Sequence, residues 1–290
     1  IFIIVFFQIV TDGKLLAVRN LRTIFNQVFT VLLGACGVAF VISQGNLDFS
    51  IGSIAGTAAA VGCMVSGGGP LISLVVALLV GCSIGALNGA MHVVFKAPAN
   101  IVTLCTQFTF RGVIAVLTIN GMFIPLAWSW IDSIPMKIAV IAVAVVVSLV
   151  AFEYTKLGKY CKAIGAGGIA SVQSGVPLGK MKVISFMISG AVAGICGFFM
   201  MVRAGSVAPT TGISFEMDVL LAIVLGGMPL SGGSGSKIRA AVIGSVMLGF
   251  LMNGLVVWGI GDTLQQGVKG IIFLVAVAMS FERENLAVIK

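Results

Sequence analysis

Val183-Ile-Ser-Phe-Met-Ile-Ser-Gly-Ala-Val-Ala-Gly-Ile-Cys-Gly-Phe-Phe-Met-Met-Val202 runs without a single charged side chain. As a helix rising about 1.5 Å per residue, it covers about 30 Å, the hydrocarbon thickness of a bilayer. Working outward, further apolar runs fall at 1–11, 24–43, 49–66, 70–95, 100–119, 135–155, 219–230, 238–258 and 264–280. With 183–202 that makes ten predicted spans. The 290 residues are 59% hydrophobic and 9% charged, with a mean hydropathy of +1.18. A soluble domain carries about 25% charge, and a disordered chain is poor in apolar residues, so both classes are excluded. The expected fold is all-α: a polytopic transmembrane bundle forming one domain over 1–290. Its parts are an N-terminal half (1–155), a cytoplasmic segment (156–182) and a C-terminal half (183–290).

Glycine is abundant, at 38 residues. Gly52-Ser-Ile-Ala-Gly56, Gly81-Cys-Ser-Ile-Gly85-Ala-Leu-Asn-Gly89 and Gly190-Ala-Val-Ala-Gly194 have the small-xxx-small spacing that lets helix backbones approach in lipid. The runs 49–66, 100–119 and 219–230 are short, glycine-broken or polar-flecked, and read as discontinuous or re-entrant helices. Gly52, Gly226, Gly227, Gly232 and Gly233 mark the breaks, with Glu216 and Asp218 placed where a helix dipole favours acids. Asp48 and Asn88 in one half mirror Asp218 and Asn253 in the other at similar intervals, which suggests a two-half internal repeat. The run Ile1-Phe-Ile-Ile-Val-Phe-Phe reads as the end of a truncated first helix. It lacks the basic region of a cleavable leader.

The net charge of +8 is explained by Lys and Arg in cytoplasmic loops, not by nucleic-acid binding. With both termini inside, the cytoplasmic side collects Lys96, Lys156, Lys159, Lys162, Lys180, Lys182, Lys237, Arg239, Arg283 and Lys290. Lys14, Arg19, Arg22, Lys137, Arg203 and Lys269 fall outside, and Arg111 lies within a span. The segment 156–182 is too long for a plain helix connection. It reads either as an ordered coupling element or as a solvated loop.

Polar groups inside spans are expensive and are functional candidates. Asp48 can cap the following helix or meet a solute. Asn100, Thr103 and Gln107 recur at i, i+3 and i+7, giving one polar stripe past which a hydroxyl-rich solute could move, and Arg111 follows. Helix–helix hydrogen bonding is the plainer alternative for each. The six cysteines form no C-x-x-C pair, and the lone His92 has no partner at ligand spacing, so no metal site is expected. No catalytic residues are expected either. Ser231-Gly-Gly-Ser-Gly-Ser-Lys237 lacks the G-x-x-x-x-G-K-[ST] order of a phosphate loop. ATP dependence would have to come from a partner.

At this point several segments, in order, resemble the inner-membrane permease subunits of bacterial ABC sugar importers of the ribose/xylose/galactoside type. They are Asp48-Phe-Ser-Ile-Gly-Ser-Ile-Ala-Gly56, Gly85-Ala-Leu-Asn-Gly89, Pro98 leading into Ile101-Val-Thr-Leu104, and Ala163-Ile-Gly-Ala-Gly-Gly-Ile-Ala-Ser-Val-Gln-Ser-Gly-Val176. Phe215-Glu-Met-Asp-Val-Leu-Leu-Ala-Ile-Val-Leu-Gly-Gly227 and Leu230-Ser-Gly-Gly-Ser-Gly235 complete the set. The resemblance implies a multi-pass protein of the bacterial inner membrane. It would pair with a second permease, two cytoplasmic ATPase domains that bind ATP and Mg, and a periplasmic or lipid-anchored sugar-binding protein. It implies no cofactor of the subunit's own. Gly165, Ala170, Ser174, Gly175 and Pro177 would belong to the element that couples to the ATPase. The family commonly has an acid at Ile169, a base at Val172, Phe at Asn100 and Gly at Cys105, so the chain departs there. A nucleoside, a sugar-derived signal or a branched-chain amino acid is the alternative cargo, and an ion-coupled secondary transporter is the alternative class.

Overall fold

A computed structural model describes residues 2–11 and 13–280. Arg283 and Lys290, counted above toward the cytoplasmic side, lie outside the described residues. All ten apolar runs are helical. In chain order the helices are α1 (Phe2–Val10), α2 (Val18–Ile42), α3 (Ile51–Met64), α4 (Pro70–Val94), α5 (Ala99–Leu117) and α6 (Ile134–Leu149, continued by a π turn through Tyr154). There follow α7 (Lys156–Ala166), α8 (Gly168–Gln173), α9 (Leu178–Ala204), α10 (Phe215–Leu225), α11 (Ile238–Val257) and α12 (Asp262–Ser280). Among the described residues, six helices are long and apolar enough to cross a membrane: α2, α4, α5, α6 with its π turn, α9 and α11. The fold is therefore a polytopic helical membrane bundle. A two-residue strand pair, β1 (Met122–Phe123) against β2 (Ser206–Val207), ties the α5–α6 connection to the end of α9.

The opening stretch forms most of α9, the central helix. In lipid nothing squeezes apolar helices together, so close backbone packing must supply the attraction. A Cβ at Gly81 of α4 would collide with the Gly190 carbonyl oxygen of α9, and one at Gly85 with that of Phe186. A Cβ at Gly194 would strike the Ala77 carbonyl, and one at Gly197 the Ala55 carbonyl of α3. The glycine spacing thus brings α9 onto α4 and α3 backbone to backbone. Phe198 and Phe199, next along α9, meet Trp128 and Phe29 at ring-centroid separations of 6.3 and 4.8 Å.

Several boundaries correct the sequence reading. The segment 100–119, expected to break, is the unbroken α5. Thr103 and Thr106 bond back to the carbonyls of Ala99 (3.0 Å) and Val102 (3.0 Å), so their hydroxyls are satisfied without interrupting the ladder. The run expected at 219–230 is α10 and starts at Phe215, so Glu216 and Asp218 lie in its first turn and do not precede it. It stops at Gly226–Gly227, where Gly227 adopts φ +85°. Segment 156–182 is α7, α8 and the first turns of α9, with Thr155 Oγ1 accepting from the Leu157 amide (3.2 Å) to cap α7. Two lysines counted toward the outer side lie within helices and are paired. Lys137 is buried, bonding Asn26 Oδ1 (2.6 Å) and Asp132 (2.5 Å). Lys269 lies within α12 and pairs with Asp218 (2.5 Å).

Within the bundle, α3 and α10 are short. At 14 and 11 residues they reach about 21 and 16 Å, well under the bilayer core. Phe215 and Val219 press on Gly34, well inside α2, so α10 begins within the bundle. Ile51 and Ile54, at the start of α3, are fully buried.

Replacing Gly190 with Leu should abolish the α4–α9 contact and lower the melting temperature of the purified protein sharply, an overpacking cost of about 1–3 kcal/mol or more. Gly112→Leu on α5, where a Cβ meets nothing within 4 Å, should leave it unchanged.

Candidate functional site

The two short helices meet start to start. A Cβ at Gly52, the second residue of α3, would collide with Glu216 Oε2 in the first turn of α10 and with the Gly212 carbonyl. The absent side chain is what admits this contact. Glu216 thus lies between the amino ends of two helices, each carrying a partial positive charge. It is buried, and α5 supplies its side-chain partners. Gln107 Nε2 donates to Glu216 Oε1 (2.8 Å), and the Arg111 guanidinium lies 3.8 Å from Oε2. Among the described residues, none donates a hydrogen bond to Glu216 Oε2. Arg111 also donates to the Thr211 carbonyl (2.8 Å) and to the Gly212 carbonyl, holding the approach to α10 against α3. Glu216, Arg111, Gln107 and Gly52, singled out separately along the sequence, form one cluster.

Gln107 and Arg111 share a helical face with Asn100, at offsets of 7 and 11 residues. Asn100 is exposed, whereas Gln107 and Arg111 are half-buried. Thr103 does not belong to that face. It is buried, and its hydroxyl accepts from the Phe49 amide (3.3 Å). The expected stripe therefore divides: Asn100 is exposed, Gln107 reaches Glu216 as Arg111 does, and Thr103 turns to the Phe49 amide.

Asp48 and Asn88 also turn inward. Asp48 Oδ1 accepts from the Ser50 amide (3.0 Å) and hydroxyl (2.6 Å), and Oδ2 accepts from Ser189 of α9 (2.8 Å). Asn88 Nδ2 donates to Ser50 Oγ (2.8 Å), and Thr106 Oγ1 donates to Asn88 Oδ1 (2.6 Å). Both Asp48 and Asn88 are fully buried. This network joins the turn before α3 to α4, α5 and α9. Sequence reasoning missed Ser50, Ser189 and Thr106; the signal available was a hydroxyl inside an otherwise apolar run.

On the α7–α8 side the proposed coupling residues separate into two groups. A Cβ at Gly165 would strike the Ser43 carbonyl and the Gly233 amide, while that amide donates to the same carbonyl (2.9 Å). Gly232, at φ +75°, is wedged against residues 42–45. Gly165, Gly232 and Gly233 therefore lock the end of α7 to the α2–α3 and α10–α11 connections. Ala170, Ser174, Gly175 and Pro177 are exposed around α8, as are Ile169 (82%) and Val172 (56%). Gly175 takes φ +81° with open space around it. Cys161, the cysteine outside the apolar runs, is buried under α7 beside Gln44 Nε2 (3.2 Å) and Ser185 Oγ (3.3 Å). Burial pushes its thiol pKa up, which makes it an inert packing residue.

A multi-pass bundle whose broken helices enclose a polar cluster has the architecture of a membrane transporter. Residues 20–277 match the family described as branched-chain amino acid transport system / permease component, and the chain belongs to that family. It is 30% identical over 280 residues to the ribose import permease protein RbsC of Escherichia coli (strain K12), covering 92% of this chain and 87% of that protein. The ribose import permease protein RbsC of Bacillus subtilis (strain 168) is 32% identical, with 96% and 90% covered. The xylose transport system permease protein XylH of Escherichia coli (strain K12) is 27% identical, with 96% and 88% covered. No solved structure matches the chain.

Asp48→Ala should strip acceptors from Ser50 and Ser189 and destabilise the purified protein by about 1–3 kcal/mol in thermal unfolding, with Asp48→Asn costing less. Arg111→Gln should keep the protein folded by the same assay while reducing solute uptake by the reconstituted transporter at least about tenfold.

Proposed function

We propose that this chain is the transmembrane permease subunit of an ATP-binding-cassette importer of the bacterial inner membrane, carrying a monosaccharide delivered by a soluble binding protein. One observation carries the reading: Arg111, Gln107 and Glu216 meet where α3 and α10 begin, and Asn100 lies on the open face of the same α5. Amide, guanidinium and carboxylate groups at a helix break suit a solute rich in hydroxyls, because they can exchange partners as it passes. Similarity to ribose and xylose permeases favours sugar over the branched-chain amino acid of the family description.

In this reading ten segments cross or enter the membrane, with both termini cytoplasmic and 156–182 between two halves. The opposed starts of α3 and α10 fit halves of inverted sense. A second permease, identical or related, covers the open face of α5. A partner ATPase, which binds ATP and Mg, docks on α8 through Ala170, Ser174, Gly175 and Pro177, with Ile169 and Val172 offering apolar contact. Gly165 and its partners are the root that transmits the movement. The subunit itself performs no chemistry.

Reconstituted with its ATPase and binding protein, the chain should give ATP-dependent uptake of labelled ribose or xylose; uptake driven by an ion gradient without the ATPase refutes the proposal. Gly175→Trp should abolish transport-coupled ATP hydrolysis with folding and insertion retained. Unchanged hydrolysis would reduce α8 to a connector.

A further inference from the structure

We infer that the α10–α11 connection binds the phosphodiester headgroup of an anionic phospholipid. A cavity of about 260 Å³ lies there, with Gly227, Ser234, Gly235, Lys237, Arg239 and Ile243 in its wall. Lys237 and Arg239 are exposed, and among the described residues neither pairs with a carboxylate. Among the described residues, no acidic side chain lines the cavity. Two unneutralised cations over a concave, glycine-rich wall make a site for a compact anion.

The surface beyond the cavity selects the kind of anion. Arg239, Ile243, Val246 and Phe250 recur at intervals of four, three and four residues, so they share one face of α11. Ile243 is 52% and Val246 39% exposed, and α11 is long and apolar enough to cross a membrane. The cations therefore stand at the end of an apolar track that continues along a membrane helix. A lipid uses both parts, with its phosphate on Lys237 and Arg239 and an acyl chain along Ile243 and Val246. Free phosphate would use the cations alone, and an acidic protein surface would leave the track unused.

The cavity wall is also held from behind. Gly233 donates to the Ser43 carbonyl and packs beside Gly165 at the end of α7. A lipid seated here would brace the connection against which α7 rests. This last consequence rests on the proposed coupling role of α7–α8, whereas the lipid assignment does not.

The test uses the full chain purified with its ATPase. Native mass spectrometry should find phosphatidylglycerol retained and phosphatidylcholine lost. The double variant Lys237→Gln/Arg239→Gln should reduce phosphatidylglycerol retention by about tenfold or more, while Lys156→Gln/Lys159→Gln leaves it unchanged. Added phosphatidylglycerol should raise the melting temperature of the wild-type complex, and inorganic phosphate should not. Equal retention of the two lipids, which is read on the wild type and needs no variant, overturns the proposal. Undiminished retention in the folded double variant does so too. An equal shift with inorganic phosphate assigns the cavity to a free anion and overturns the lipid assignment. Loss of the ATPase from the double variant with lipid retention intact makes this surface a protein contact, which also overturns it.

Discussion

Backbone-to-backbone packing of α9 against α4 and α3 is the constraint on which the rest of the bundle depends. In lipid, hydrocarbon side chains gain little by leaving the solvent, so association rests on dispersion at close range and on buried polar bonds. Gly81 and Gly85 on one side, and Gly190, Gly194 and Gly197 on the other, remove the side chains that would hold these helices apart. Ser189, beside Gly190, can then reach Asp48, because the helices on which the network depends are already close. The network in turn anchors the turn that launches α3. The position of the short helix follows from the glycine packing of long ones.

The same logic places the polar cluster. Glu216 is buried between two helix starts only because Gly52 has no side chain, and Arg111 tethers the Thr211 and Gly212 carbonyls that lead into α10. A second acid in the same turn, Asp218, pairs with Lys269 of α12. The short helix α10 is thus held by charges on two sides, from α5 and α12. Any displacement of α5 relative to α12 must alter at least one of these pairs.

Much of the fold was legible in composition and periodicity. Apolar runs of nearly twenty residues specify helices wherever water is absent, because every backbone amide must then find a partner within its own segment. Gly226–Gly227 marked the end of α10 for a local reason, a positive φ that other residues resist. Gln107, Arg111 and Glu216 were also legible, since charge and amide within apolar sequence stand out. Less legible was the direction in which each polar group points. Thr103 shares its spacing with Asn100 and Gln107, yet lies off their face and bonds to the Phe49 amide. Lys137 and Lys269 were legible as charges, but not their partners Asn26, Asp132 and Asp218.

The sequence by itself determined the membrane class, the helical segments and the family, because these depend on local hydropathy, glycine spacing and ordered motifs. Only the tertiary structure decided that Asp48 and Asn88 are internal braces while Arg111, Gln107 and Glu216 meet at the opposed starts of α3 and α10. It also separated Gly165, a packing position, from the exposed residues around α8. Those assignments depend on contacts between residues tens to more than a hundred positions apart. Periodicity along one helix cannot specify which face a neighbouring helix will cover.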